Sequence, residues 1–206
     1  MLEESIPYTE RHPELDPLFI MDIDNVLNTD DHIEQMNDQA GIENYEDFKD
    51  YFHKNPAEYL QPERVQRLDE CLDELDPDPR IVTVSSWQTS FGADFLTQVL
   101  EKAGFTHEIW TRTMNFHLKK GGRERGQEIR YTVKNVDPDH CVVLDDRPYN
   151  EWFNFVHHQI QPEDGLEPEH VEQIHELWNR PFEKKPGYPD EDDGPTPHVN
   201  PELGSS

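Results

Sequence analysis

The chain has 206 residues, a length that suits one domain with a small insert. Its formal charge of −27, from 18 Lys and Arg against 45 Asp and Glu, argues against a long nucleic-acid duplex or an anionic membrane as partner unless the cations are grouped. No run of about 18 apolar residues is present, which excludes a membrane-spanning helix. The acidic N-terminus lacks the apolar stretch of a secretory signal, and Cys71 and Cys141 alone supply neither a disulfide framework nor a thiolate zinc site. A cytoplasmic protein is expected. The high acid content, with only 8 lysines, fits adaptation to high salt, an acidic phage or plasmid protein, or a cation binder.

In chain order, residues 1–17 are an N-terminal extension, and LFIM (18–21) is the first apolar run without alternation, as in a buried parallel strand. Residues 29–60 are polar with scattered aromatics (Tyr45, Phe48, Tyr51, Phe52, Tyr59). They are expected to form an insert of one or two short helices. A helix follows Pro62, with Val65, Leu68, Leu72 and Leu75 on one face. IVTV (81–84) is the second strand, and the next helix carries Phe91, Phe95, Leu96, Val99 and Leu100 inward and ends at Gly104. HEIW (107–110) is a further strand candidate. A basic helix from about Arg123 to Val136, the strand CVVL (141–144), a weaker strand FVHHQI (155–160) and a helix from about Glu167 to Trp178 complete the domain, 18–180. Residues 181–206, rich in Pro and acids, are expected to be a disordered tail. Strands alternating with helices predict an α/β domain with a mainly parallel sheet.

Cations are unevenly spread. Residues 1–50 hold 2 against 15 acids, whereas seven lie between Arg112 and Lys134 (Arg112, Lys119, Lys120, Arg123, Arg125, Arg130, Lys134). Such a patch suits an anionic ligand or a solvated helix face. Three strands end in polar residues: Asp22 with Asp24, Ser85 with Ser86, and Asp145 with Asp146. In an open parallel sheet, ligands bind beyond the carboxyl ends of the strands, so these groups are expected in one crevice. Four carboxylates there require raised pKa values or a hard cation, and oxygen donors alone favour Mg²⁺. Mg²⁺, an anionic substrate and a nearby cation point to phosphoryl chemistry. Simpler roles exist for some of these groups: Ser85 or Ser86 also suits a helix cap, and Arg147 can pair with an acid instead of touching substrate. Trp87 suits packing or base stacking, His157 and His158 suit structural roles, and His117 lies beside the basic patch. The aromatics of 45–59 suit a small local core or a substrate lid.

These residues carry a resemblance. LFIMDIDNVLN (18–28), VTVSSW (82–87), RERGQEI (123–129) and CVVLDDRP (141–148) resemble, in order, the four motifs of the haloacid dehalogenase (HAD) superfamily. With Gly165–Leu166 and the closing helix, they resemble the HAD domain associated with bacterial RNA-repair proteins. LDDRP with Trp152 is also similar to the phosphatase half of phage polynucleotide kinase-phosphatases. The resemblance implies a three-layer Rossmann-like fold with a short helical cap insert after strand one, and a partly open site. It implies Asp22 as nucleophile, Asp24 as general acid and base, Ser85 on the transferring phosphoryl, and Arg125 as the third-motif cation with Lys119 and Lys120 as rivals. Ser86 and Arg147 are further substrate-binding candidates. Mg²⁺ would be held by Asp22, Asp24, Asp146 and Asp145, Asp24 through its backbone carbonyl. Asn25 departs from the pattern, standing where Gly is common, and Arg125 replaces the usual Lys. The implied activity is Mg²⁺-dependent phosphomonoester hydrolysis through an aspartyl-phosphate, on a nucleotide or polynucleotide end. A small-metabolite phosphatase and a non-catalytic binding module are the alternatives. No obligate protein partner is evident.

Overall fold

The structure, a computed structural model, describes residues 13–89, 93–113, 125–147 and 158–182. Strands β1 (Leu18–Met21), β2 (Arg80–Thr83), β3 (Ile109–Arg112), β4 (Cys141–Leu144) and β5 (Gln159–Ile160) form one sheet in the order β3-β2-β1-β4-β5. All pairings are parallel. The helices are α1 (Asp30–Ala40), α2 (Tyr45–Lys54), α3 (Pro62–Asp73), α4 (Ala93–Lys102), α5 (Arg125–Val136) and α6 (Pro168–Trp178). None is long and apolar enough to cross a membrane.

The three-layer arrangement follows from strand periodicity, because successive side chains of a strand point to opposite faces. Phe19 and Met21 of β1 join Val142 and Leu144 of β4 in one core, closed by Val65, Leu68 and Leu72 of α3, Leu96 and Leu100 of α4, and Ile174 and Trp178 of α6. Leu18 and Ile20 join Cys141 and Val143 in the other, closed by Ile129, Val133 and Val136 of α5 with Leu15 and Phe182. Both faces of β1 and β4 are buried, which is why those runs lack alternation.

The strands are in register: Met21 pairs with both Thr83 and Leu144. Their carboxyl ends therefore lie level. The ladders continue one step past them, through Asp22 N–H to the Leu144 carbonyl at 2.8 Å and Val84 N–H to the Met21 carbonyl at 2.9 Å. Asp22, Ser85 and Asp145 leave the sheet along one edge.

Between β1 and α3 lie α1, α2 and a 3₁₀ turn, Pro56–Tyr59. Thr29 and Asn44 cap the two helices, their side chains accepting from His32 N–H and from Glu46 and Asp47 N–H. Neither helix has a fully buried residue, but Phe48 and Phe52 pack around Tyr59, which is buried.

Several elements differ in detail from the sequence expectation. The third strand lies at 109–112 and not 107–110, because the His107 ring bonds the Asp69 carbonyl and leaves the sheet direction. Phe95, expected on the core face of α4, is 38% exposed. Leu96, Val99 and Leu100 of the same helix are buried as expected, and Phe91 lies outside the described residues. Of the weak strand 155–160, Gln159 and Ile160 pair with β4, while 155–157 lie outside the described residues.

Candidate active site

Asp22 and Asp145 follow directly from β1 and β4, the two central neighbours of the sheet, and both are fully buried. Carboxylate oxygens of Asp22, Asp145 and Asp146 lie within 4.8 Å of one another. Arg125, the first residue of α5, reaches back over them. Its Nη1 pairs closely with Asp22 Oδ2, lies 3.2 Å from both Asp145 oxygens and 3.9 Å from Asp146 Oδ1. Asp22 Oδ1 accepts from Ile23 N–H at 2.7 Å, and Asp145 Oδ1 from Arg147 N–H at 2.9 Å.

Among the described residues, one guanidinium faces three carboxylates. Burial pushes the Asp22 carboxyl up from its ordinary value of 3.8 to about 7; Asp145 raises it further, Arg125 opposes the rise, and Asp24 adds to it. Asp146 Oδ1 is buried and accepts no hydrogen bond, although its partner oxygen Oδ2 accepts from Asn25 Nδ2 at 3.1 Å. An unsatisfied buried carboxylate oxygen beside two others is what a hard, oxygen-loving divalent cation would complete. The trio therefore fits such an ion on its own chemistry.

Asp24 stands outside this trio and is held by a different set of donors. Ser86 Oγ donates to Asp24 Oδ2 at 2.6 Å, and Trp87 Nε1 donates to Asp24 Oδ1 at 2.7 Å. Asn28 Nδ2 approaches Oδ1 at 3.5 Å. Ser85 Oγ is buried and accepts from Trp87 N–H at 3.3 Å, so Ser85 supports the turn that carries Trp87. Trp87 also packs edge-on against Phe52, with centroids 4.7 Å apart. It thus both packs and orients a carboxylate.

The loop joining Asp22 to α1 is fixed from below. Asn28 is fully buried, and its Oδ1 accepts from Asn25 N–H at 2.8 Å. Asn25 has φ +53, a left-handed conformation that Asn tolerates and that explains why Gly suits this position. Leu166 N–H donates to the Val26 carbonyl at 2.8 Å, and Arg64 Nη1 to the Asn28 carbonyl at 3.3 Å. Gly165, at φ +88, leaves room for that guanidinium: a Cβ there would lie 1.2 Å from Arg64 Nη1. The Gly165–Leu166 pair is a backbone clamp on the acidic loop.

Of the residues expected at the site, Asp22, Asp145, Asp146 and Arg125 come together, and Asp24 and Ser86 form a second group beside them. Arg147 contributes its backbone N–H, its side chain being exposed. Lys119, Lys120, His117 and Trp152 lie outside the described residues. His158 is buried against Phe182, ring centroids 4.8 Å apart, in keeping with a structural role; His157 lies outside the described residues. Asn25, Asn28 and the indole of Trp87 are site residues that the strand-end argument missed. A second amide, Asn28, closing the segment DIDNVLN (22–28) was the available signal.

An all-parallel sheet, layered by helices and ending in this acidic cluster, defines a HAD-type Rossmann-like domain. A family model for the HAD domain in Swiss Army Knife RNA repair proteins matches residues 18–171, and the chain belongs to that family. No curated protein and no solved structure matches the chain. The family lies within a superfamily of phosphatase-type hydrolases, and the acidic trio can bind a metal.

Proposed function

We propose that the protein is a phosphomonoester hydrolase dependent on a divalent cation, Mg²⁺ by the preference of an all-oxygen donor set, acting on a nucleotide or a polynucleotide end. The observation that carries this reading is the grouping of Asp22, Asp145 and Asp146 under Arg125, with Asp24 separately oriented by Ser86 and Trp87. Family membership supports the choice of phosphate on nucleic acid over other anions.

Asp22 is the nucleophile. One of its oxygens attacks phosphorus, the bond from phosphorus to the leaving oxygen breaks, and Asp24 delivers a proton to that oxygen. Water then attacks the aspartyl-phosphate, Asp24 takes its proton, the bond to Asp22 breaks, and inorganic phosphate leaves. Asp22, Asp145 and Asp146 would hold the cation, which when bound supplies positive charge to the transferring phosphoryl group. Asp22 must be ionised to attack, and Arg125 is the chain's own contribution to that state. Ser86 and Trp87, the two close donors on Asp24, fix its orientation between the two proton transfers. Ser86 acts through Asp24, and Ser85, whose hydroxyl accepts from the Trp87 N–H, supports the turn that carries Trp87.

The test is phosphate release from an aryl phosphate and from phosphorylated oligonucleotide ends, with and without Mg²⁺, beside Asp22→Asn. Turnover by the native chain and its loss in the variant is the expected result. Turnover that survives Asp22→Asn overturns the nucleophile assignment. Absence of turnover on every phosphomonoester, with the protein folded and binding Mg²⁺, overturns the hydrolase reading in favour of a binding module.

A further inference from the structure

Asp24 also lines a cavity of about 320 Å³ whose described lining does not include Asp22, Asp145 or Asp146. Asp24, Ser86 and Trp87 form its floor, and α2 forms one wall. Tyr45, Phe48, Lys49, Phe52 and His53 of α2 all line it, at the 3- and 4-residue spacing that puts side chains on one helix face. Three of these rings form a row, the inner pair stacked and the outer pair tilted. Tyr45 and Phe48 are 6.2 Å apart at 31°, and Phe48 and Phe52 are 5.5 Å apart at 20°.

A local core explains part of this row. Phe48 and Phe52 pack against buried Tyr59 and so hold the insert to the domain. It does not explain the outer end. Tyr45 is 72% exposed and contributes little burial. Lys49 is exposed, makes no hydrogen bond or ion pair among the described residues, and is one of only two Lys or Arg in the otherwise acidic segment 29–60. An unpaired cation beside an exposed ring, at the mouth of a cavity next to a proton donor, suits a planar, apolar-faced group that carries a negative charge further along.

We infer that this cavity is a stacking subsite for the terminal base of the leaving group, with Tyr45 as its outer platform and Lys49 set to meet the next phosphate of the strand. The inference rests on Asp24 serving the leaving oxygen, as argued under the proposed function, because that places the leaving group on the cavity side. The volume lies at the small end of the roughly 300–1,000 Å³ typical of ligand sites, which suits a single nucleoside. The subsite therefore reads a single terminal residue, and the neighbouring nucleotide lies outside over Lys49. A base-tolerant preference follows, because stacking does not depend on which base is present.

The experiment is equilibrium binding of adenosine, of unphosphorylated triadenylate and of ribose 5-phosphate to the full chain, followed by calorimetry and by tryptophan emission, since Trp87 lies on the cavity floor. Adenosine and triadenylate are expected to bind saturably and to quench emission, with ribose 5-phosphate unable to displace adenosine. Tyr45→Ala is expected to weaken adenosine about tenfold, with Tyr45→Phe restoring it. Lys49→Gln is expected to weaken triadenylate several-fold, to lower its salt dependence and to leave adenosine binding unchanged. Tyr45 and Lys49 are surface residues, so the variants remain folded. Displacement of adenosine by ribose 5-phosphate, or indifference of adenosine binding to Tyr45→Ala, overturns the base subsite. These readouts need no turnover. Binding as expected with no phosphate released would leave the subsite standing and overturn the hydrolase reading; turnover with no nucleoside binding would do the reverse.

Discussion

Asp22→Asn should make the cation-free protein more stable at alkaline pH, although it removes the central residue of the site. Folding raises the Asp22 carboxyl from 3.8 to about 7, chiefly through burial and with help from Asp145. A carboxyl whose pKa is raised by folding binds its proton more tightly in the folded chain than in the unfolded one. The stability tied to that proton is fully present below pH 4 and is lost as pH rises through about 7. A shift of about three pH units corresponds to about 4 kcal/mol, the pull of Arg125 already included. Asn is uncharged at every pH and keeps an oxygen for the Ile23 N–H that Asp22 now satisfies. Its amide nitrogen would meet Arg125 Nη1, donor against donor, at a cost of about 1–3 kcal/mol that does not change with pH.

The two effects separate cleanly. Near pH 4 the variant should be less stable than the native chain by the donor clash alone. At pH 8 it should be more stable by about 1–3 kcal/mol, the difference between the charge relief and the clash. Urea unfolding in chelator at a series of pH values measures this, and groups unaffected by the substitution cancel in the comparison. A stability difference that stays constant from pH 4 to pH 8 would refute the raised Asp22 carboxyl on which the reasoning rests. Adding Mg²⁺ should then stabilise the native chain more than the variant, because an ion that binds only the folded state shifts stability by mass action.

Trp87→Phe keeps the packing against Phe52 but removes the indole donor to Asp24, and should cut phosphate release about ten- to a hundredfold while the melting temperature moves by only a few degrees. Asn25→Ala should weaken Mg²⁺ binding about tenfold, read by calorimetry, because it frees the Asp146 oxygen that now accepts from the amide and places an ordinary side chain at positive φ. Gly165→Ala should destabilise the fold by about 1–3 kcal/mol in urea unfolding, since a methyl there displaces the Arg64 guanidinium from the loop carbonyl it holds; Arg64→Ala in the same background should recover part of that loss.

The sheet was legible because its central strands are buried on both faces and each ends at a charged or hydroxyl side chain. Continuous apolar runs of four residues then mark both the strand and the point where the chain leaves it, and equal registers bring those points level. β3 and β5 were read less well for the same reason in reverse. They are the edge strands, and Trp110 on β3 is 44% exposed, so burial no longer imposes a continuous pattern. Phe95 shows the limit of periodicity on a helix: position and type suggested the core, but Leu96, Val99 and Leu100 take the buried face of α4 and Phe95 stands beside it, 38% exposed.

At the site, sequence gave the charged groups and missed their holders. Asp22, Arg125 and Asp145 are 103 and 20 residues apart along the chain, yet a strand end or helix start fixes each, so the topology alone brings them together. Trp87, Asn25 and Asn28 act by hydrogen bonds whose partners depend on side-chain direction within a turn, which a residue string does not encode. Two consecutive serines illustrate the difference. Both lie at the end of β2 and look interchangeable, but one step along the chain turns Ser85 inward to the Trp87 backbone and Ser86 outward to the Asp24 carboxylate. If phosphate transfer runs through Asp22 and Asp24 as proposed, Ser86→Ala and Ser85→Ala must therefore fail differently. Loss of the Ser86 hydroxyl removes a donor from Asp24 and should lower turnover with little change in folding stability. Loss of the buried Ser85 hydroxyl loosens the turn that carries Trp87, and should lower stability along with turnover.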